Sequence, residues 1–187
     1  MTFVDGSVVD ADYTRSFERI VRSFNVTGVS ESGESTSVQV PVGDYRSGRT
    51  RLSYTTDRSK PFSGNVEYNW DDYYGGTRTG LTFGAQYLHS YRLSANFTYA
   101  RNVNPPRGSL HTDQAGLTLN YRFNPKMFFS SFIQYNNQSD QISSNIRFRL
   151  IHRPLSDVFV VYNDLRDRAK QTSDWSLTLK YTRLLSF

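Results

Sequence analysis

The chain has 187 residues, a formal net charge of +5, 37% apolar and 15% aromatic residues, and no cysteine. A mean hydropathy of -0.59 and the lack of any run approaching ~20 apolar residues exclude a helical membrane protein. The absence of Cys removes disulfides, thiolate catalysis and sulfur-ligated zinc. A membrane β-barrel stays open, because each crossing strand needs only ~9–11 residues with every second one apolar.

The first thirteen residues are polar and unpatterned, and residues 1–13 are expected to be an irregular segment ahead of a β-barrel over 14–187. Thr14–Thr27 is a strand with neither face clean: Arg19 shares a face with Val21, while Glu18 and Arg22 share the other with Ile20 and Phe24. Gly28–Gln39 (GVSESGESTSVQ) has the composition of an exposed loop. Alternation then resumes. Leu52 and Tyr54 oppose Arg51 and Ser53, and Val66, Tyr68 and Trp70 oppose Asn65, Glu67 and Asn69.

Thr77–Leu88 places Leu81, Phe83, Ala85 and Tyr87 on one side, and Tyr91–Asn102 does the same with Leu93, Ala95, Phe97 and Tyr99. Gln114–Phe123 alternates most cleanly, with Ala115, Leu117, Leu119, Tyr121 and Phe123 against Gly116, Thr118, Asn120 and Arg122. Met127–Tyr135 is blurred by Phe128 and Phe132, and Val158–Tyr162 by Phe159 and Val161. Between them Ile146, Phe148 and Leu150 oppose Asn145, Arg147 and Arg149. The last strand, Trp175–Phe187, sets Leu177, Leu179, Tyr181, Leu185 and Phe187 against polar partners, with Arg183 breaking the apolar face.

The spacing therefore predicts an all-β fold, an antiparallel up-and-down transmembrane β-barrel with about ten strands in this chain. Tight, Pro-containing connections such as FNPKM and RPLSD alternate with longer polar ones at Gly28–Gly48, Asp71–Thr77, Val103–Asp113 and Asp164–Ser173. Short turns on one rim and long loops on the other are what an outer-membrane barrel has, with the turns periplasmic. The aromatics fall into two girdles: Trp70, Tyr99, Tyr135, Tyr162 and Trp175 at the outer ends, and Tyr87, Tyr91, Tyr121, Phe123, Phe129 and Phe187 near the turns. A charge facing lipid at mid-depth costs ~2–4 kcal/mol. Arg92, Arg122, Arg147, Arg149 and Lys180, all of polar parity, are thus expected to face the lumen. A soluble lipocalin-like barrel has the opposite polarity, and parity alone does not separate the two.

Several segments resemble a known family: DYYGGTRTG, NPPRGSL, YRFNPKMFFSSFIQYNN, SNIRFRL, PLSDVFVVYND and the closing LKYTRLLSF. Together they are similar to the C-terminal barrel of a bacterial outer-membrane family of unassigned function. Its longer members carry an N-terminal module similar to family 9 carbohydrate-binding domains, and they are often labelled membrane-associated hydrolases. The resemblance covers residues 38–187. It implies a fragment of a larger, porin-like barrel in a Gram-negative outer membrane, with glycan recognition in the outer loops or in a missing module. In such proteins the terminal strand is read by the barrel insertion machinery, which makes Tyr181, Leu185 and Phe187 the expected assembly signal. The N-terminus MTFVDGSVVDADY has no basic segment followed by an apolar one, so no signal peptide is expected within this sequence.

No HExxH, GxSxG or P-loop is present, so no catalytic residues, cofactor or metal site are expected, and the YYGGTRTG glycines read as a loop bend. Asp71 and Asp72 beside Tyr73 and Tyr74, and Asp44 beside Tyr45, are the candidate ligand-binding groups, pairing carboxylates with rings as sugar sites do. Lys and Arg are scattered singly, which argues against nucleic acid. The expected partners are outer-membrane lipid, the insertion machinery and glycans. A non-enzymatic barrel protein is the leading functional reading. A passive or anion-preferring channel, a soluble ligand-binding barrel and a hydrolase using Asp71 and Asp72 are the alternatives.

Overall fold

A computed structural model describes residues 1–104 and 110–184. It is all-β, and no helix occurs among the described residues. The twelve strands are β1 (Val8–Ile20), β2 (Phe24–Val29), β3 (Ser35–Val40), β4 (Gly43–Thr55), β5 (Phe62–Tyr73) and β6 (Gly76–Leu88), followed by β7 (Leu93–Asn104), β8 (Leu110–Asn124), β9 (Met127–Asn136), β10 (Gln141–Arg153), β11 (Ser156–Asp167) and β12 (Thr172–Thr182). Ten of them form an antiparallel meander in the order β1-β4-β5-β6-β7-β8-β9-β10-β11-β12, the up-and-down arrangement that the alternation predicts. The sheet is open, with β1 and β12 each paired on one side among the described residues.

Cross-strand register unites the apolar residues of separate strands into one face. One ladder row runs Leu93, Tyr121, Phe129, Phe148, Val160, Leu179. Another runs Tyr54, Val66, Phe83, Tyr99, Ala115, Tyr135. This apolar face is the exposed one. On β5, Tyr68 and Trp70 are 46% and 58% exposed, whereas Ser63, Asn69 and Asp71 on the other face are 2%, 6% and 6% exposed. Crowding on the polar face is visible at Gly80, where an added Cβ would overlap Asn69 Oδ1 and come within 2.8 Å of Asn102 Oδ1.

The exposed apolar residues make a band that crosses the strands obliquely. The row through Tyr68, mid-band on β5, meets β7 at Arg101. The row through Leu179, mid-band on β12, meets β7 at Leu93, about eight residues lower. Eight residues are ~27 Å along a strand, and the seven intervals between β5 and β12 span ~34 Å, so the strands tilt by roughly 40° against the band normal. Barrel walls have tilts of ~35–45°. Beyond the band, at the loop end, the same face carries charged pairs: Arg19–Asp44, Arg101–Asp113 and Arg166–Asp164.

Four expectations are corrected. First, strand β1 begins at Val8, inside the segment expected to be irregular. Second, the Gly28–Gln39 stretch is no open loop, because β2 and β3 pair as a hairpin from Phe24↔Val40 to Val29↔Ser35. Third, the expected loop asymmetry largely vanishes. Strands β5 and β6 continue to a two-residue turn at Tyr74 and Gly75 (φ 47° and 82°), the geometry a tight hairpin requires. The connection from β11 to β12 shrinks likewise, leaving the β1–β4 connection as the long one among the described residues. Fourth, Tyr99 and Tyr162 lie halfway along β7 and β11 rather than at the strand ends. Residues 105–109 of the expected Val103–Asp113 loop, and Leu185 and Phe187 of the expected assembly signal, lie outside the described residues; Tyr181 is on the apolar face near the end of β12.

A small apolar core exists at the loop end. Ile20, Val29, Val40 and Leu110 are the buried hydrophobic residues among those described, and they sit at the ends of β1, β2 and β3 and the start of β8, where the hairpin docks. Val29 bridges to His111, and Gln138 Nε2 donates to Thr27 Oγ1 across the hairpin.

Candidate binding cleft at the loop end

Strand β4 pairs with β5 only as far as Arg49↔Asp71, whereas its pairing with β1 continues to Gly43. Past that point β4 and β5 part, and the opening between them is a cleft of about 310 Å³. The polar-face side chains of four strands point into it. Glu18 comes from β1, Tyr45 and Arg49 from β4, Asp71 and Tyr73 from β5, and Arg78 from β6, with Tyr74 arriving from the turn.

Register explains why these meet. Glu18 stands opposite Tyr45, and Asp71 opposite both Arg49 and Arg78. Arg78 grips Asp71 through both nitrogens, Nε at 3.2 Å and Nη2 closer still, a bidentate fork that holds a nearly buried carboxylate. The same guanidinium lies 4.5 Å from the centroid of the Tyr73 ring. Tyr74 donates its hydroxyl to Glu18 Oε2 at 3.0 Å. Burial and that carboxylate together raise the Tyr74 pKa, so the phenol stays protonated.

Tyr74 is the hub of an aromatic cluster. Its ring meets Tyr73 at 4.7 Å, Tyr45 at 5.2 Å and Phe24 of the hairpin at 5.4 Å, each edge to face. Tyr45 donates to the Pro41 carbonyl at 2.9 Å, which fixes its ring against the hairpin base. Asp72 accepts the Gly48 amide at 3.0 Å and so closes the mouth of the cleft.

Of the six residues expected to bind a ligand, Tyr45, Asp71, Asp72, Tyr73 and Tyr74 are brought together here. Asp44 is not: it falls on the opposite face, in a fork with Arg19 at 2.7 and 2.9 Å. Glu18 and Arg78 complete the cleft without having been singled out from sequence. Arg78 carried a signal in its proximity to Asp71 across a short hairpin, but Glu18 reaches Tyr45 only through a ladder that the β2–β3 insertion hides. Chemically the cleft offers ring faces, a neutral phenol and carboxylates already engaged by donors. That equips it to hold a hydroxyl-rich ring, and the two serines in its lining, Ser16 and Ser47, hydrogen-bond each other at 2.6 Å.

The expected lumen bases also have defined places. Arg92, Arg122, Arg149 and Lys180 fall in one ladder row on the polar face near the turn end, and Arg147 lies one step further along β10. Arg149 forks Asp157 at 2.8 and 3.2 Å.

The fold and cleft together define a class: an up-and-down antiparallel sheet that is apolar outside and polar on its sheltered face. No protein-family model matches the chain, and no significant match is found among curated proteins or solved structures.

Proposed function

We propose that the chain forms the wall of a bacterial outer-membrane β-barrel, a non-enzymatic protein whose loop-end cleft takes up glycan. The observation that carries this reading is the exposed apolar band, bordered by charge and inclined to the strands by roughly 40°. In water such a face would be a large aggregation-prone patch; in lipid it is the side that must be apolar. The resemblance of PLSDVFVVYND and the neighbouring segments to outer-membrane barrels supports the same assignment. The backbone groups on the free edges of β1 and β12 must then find partners within the bilayer, as every polar backbone group there must.

The cleft supports the glycan part of the reading. Three tyrosine rings beside fixed hydrogen-bonding groups suit a sugar ring, which presents one apolar face and a rim of hydroxyls. The decisive experiment is refolding with and without detergent micelles, followed by far-UV circular dichroism and heat-modifiable gel migration. Strand signal and a migration shift that both require micelles are the expected result. A dispersed, β-rich chain in plain buffer would replace this reading with the soluble ligand-binding barrel.

A further inference from the structure

The polar face is charge-balanced at one end and not at the other. Mid-sheet and toward the loop end most of its acids are matched, with Asp12 and Glu67 on Arg51, Asp71 on Arg78 and Asp167 on Lys170, while Glu18 accepts the Tyr74 hydroxyl. Toward the turn end of β7–β12, five bases, Arg92, Arg122, Arg147, Arg149 and Lys180, face a single carboxylate among the described residues, Asp157. Arg92, Arg122, Arg147 and Lys180 have no ion pair among the described residues.

These bases are ordered. The ladder row through Arg122 continues to Phe128, Arg149, Phe159 and Lys180, one residue from each of β8 to β12. Arg92 extends the row on the near side, its carbonyl accepting the Arg122 amide at 2.8 Å. Bases on β8, β10 and β12 thus repeat at about 10 Å, two strand spacings, with a phenylalanine ring between each pair. Phe128 and Phe159, like Phe132 and Val161, blur the alternation of their strands, and the apolar face does not account for them. Placed between cations they have a use: Arg149 lies 4.9 Å from the centroid of Phe159. A cavity of about 550 Å³ opens at the head of the row, lined by Arg92, Arg122, Ser94, Asn120, Phe128 and Ser130. It offers two guanidinium groups, that of Arg92 donating through Nε to the Tyr91 hydroxyl at 2.8 Å, with serine hydroxyls and an amide around the Tyr91 and Phe128 rings.

We infer that this row is a binding site for an elongated polyanion whose charged groups are separated by a flat apolar surface. The charges would sit on Arg122, Arg149 and Lys180, the apolar surface on Phe128 and Phe159, and one terminal oxyanion in the Arg92–Arg122 cavity. The site stands on the polar face whether the wall lies in lipid or in water, so it does not depend on the membrane assignment.

Two probes test it on the full chain, folded in whichever medium keeps it dispersed: pyrenetetrasulfonate, flat and charged, and tripolyphosphate, charged without a ring. Arg122 and Lys180 are exposed and unpaired among the described residues, so Arg122→Gln and Lys180→Gln should fold normally. Each should weaken both probes by roughly three- to tenfold in fluorescence anisotropy and competition titrations. Phe128→Ala, or Phe159→Leu if the first misfolds, should weaken pyrenetetrasulfonate several-fold and leave tripolyphosphate unchanged. Arg166→Gln, at the other end and on the other face, should alter neither. Equal loss in Arg166→Gln would reduce the effect to overall charge and overturn the site, as would the absence of millimolar binding by the unaltered chain.

Discussion

Replacing Leu117 by Arg tests the polarity of the sheet directly. Leu117 is the central residue of β8, lies on the apolar face between Phe97 and Ile133, and is 43% exposed. In a lipid bilayer it sits near mid-depth, where an arginine costs about 2–4 kcal/mol. Phe123 lies on the same face six residues further along, ~20 Å down the strand and ~15 Å down the membrane normal at a tilt near 40°. That places it at the interface, where the same change costs ~0–1 kcal/mol. In water neither site is deep enough to matter, and a half-exposed Leu→Arg change stays within roughly 0.5 kcal/mol. With a urea slope of ~2 kcal/mol/M, Leu117→Arg should lower the unfolding midpoint in phospholipid vesicles by about 1–2 M, and Phe123→Arg by less than ~0.5 M. Tryptophan emission from Trp70 and Trp175, the two tryptophans of the chain, reports the transition. Equal midpoints for the two variants would refute the depth assignment and with it the lipid-facing band.

Two further predictions concern the loop end and the turn end. Arg78→Gln leaves the nearly buried Asp71 carboxylate without its fork and should destabilise the chain by about 3 kcal/mol, most of it restored by adding Asp71→Asn; additive losses in urea titrations would count against the fork. Asp57, in the β4–β5 turn, accepts the Ser59 amide and hydroxyl at 2.9 Å each, and these bonds hold its pKa below the ordinary carboxylate value. A depressed folded pKa means the stabilisation is complete above the unfolded value of ~3.9 and is lost as pH falls through the folded one. Carboxyl-detected NMR should therefore find the Asp57 midpoint below ~3.9, and Ser59→Ala should raise it; a wild-type midpoint at or above that value would contradict the turn geometry.

The alternation in the sequence marks the apolar band rather than the whole strand, and this explains which features were legible. Leu81 to Tyr87 and Ala115 to Phe123 lie within the band, so one of their faces is uniformly apolar and the period of two is plain. Gly76 and Asp71 to Tyr73 belong to the same ladders but lie beyond it, polar on both faces, and read as loop. Strand β1 is obscured for the same reason: its outward Arg15 and Arg19 lie toward the loop end, level with Gly48 and Asp44. Hairpin β2–β3 shows no period because most of both its faces is exposed and only its ends are packed. Five of the six candidate residues line the cleft, and these were foreseeable as neighbours in sequence around two tyrosine-rich segments. Which face each occupies, and hence the exclusion of Asp44, depended on a register that no local pattern specifies.

The docking of that hairpin bears on the order in which the chain folds. Val29 meets His111 and Gly28 packs against Leu110, contacts between segments about eighty residues apart in the chain. Closing so long a loop from the unfolded state is slow and entropically costly. Once β4 to β8 are laid side by side, however, β8 has been carried to within a hairpin's length of β2 and the remaining loop is short. Burial of Val29 and Leu110 is therefore a terminal event, a latch that engages after the ladders between them have formed. A chain stalled midway through assembly would display a loose, protease-sensitive hairpin at its tip.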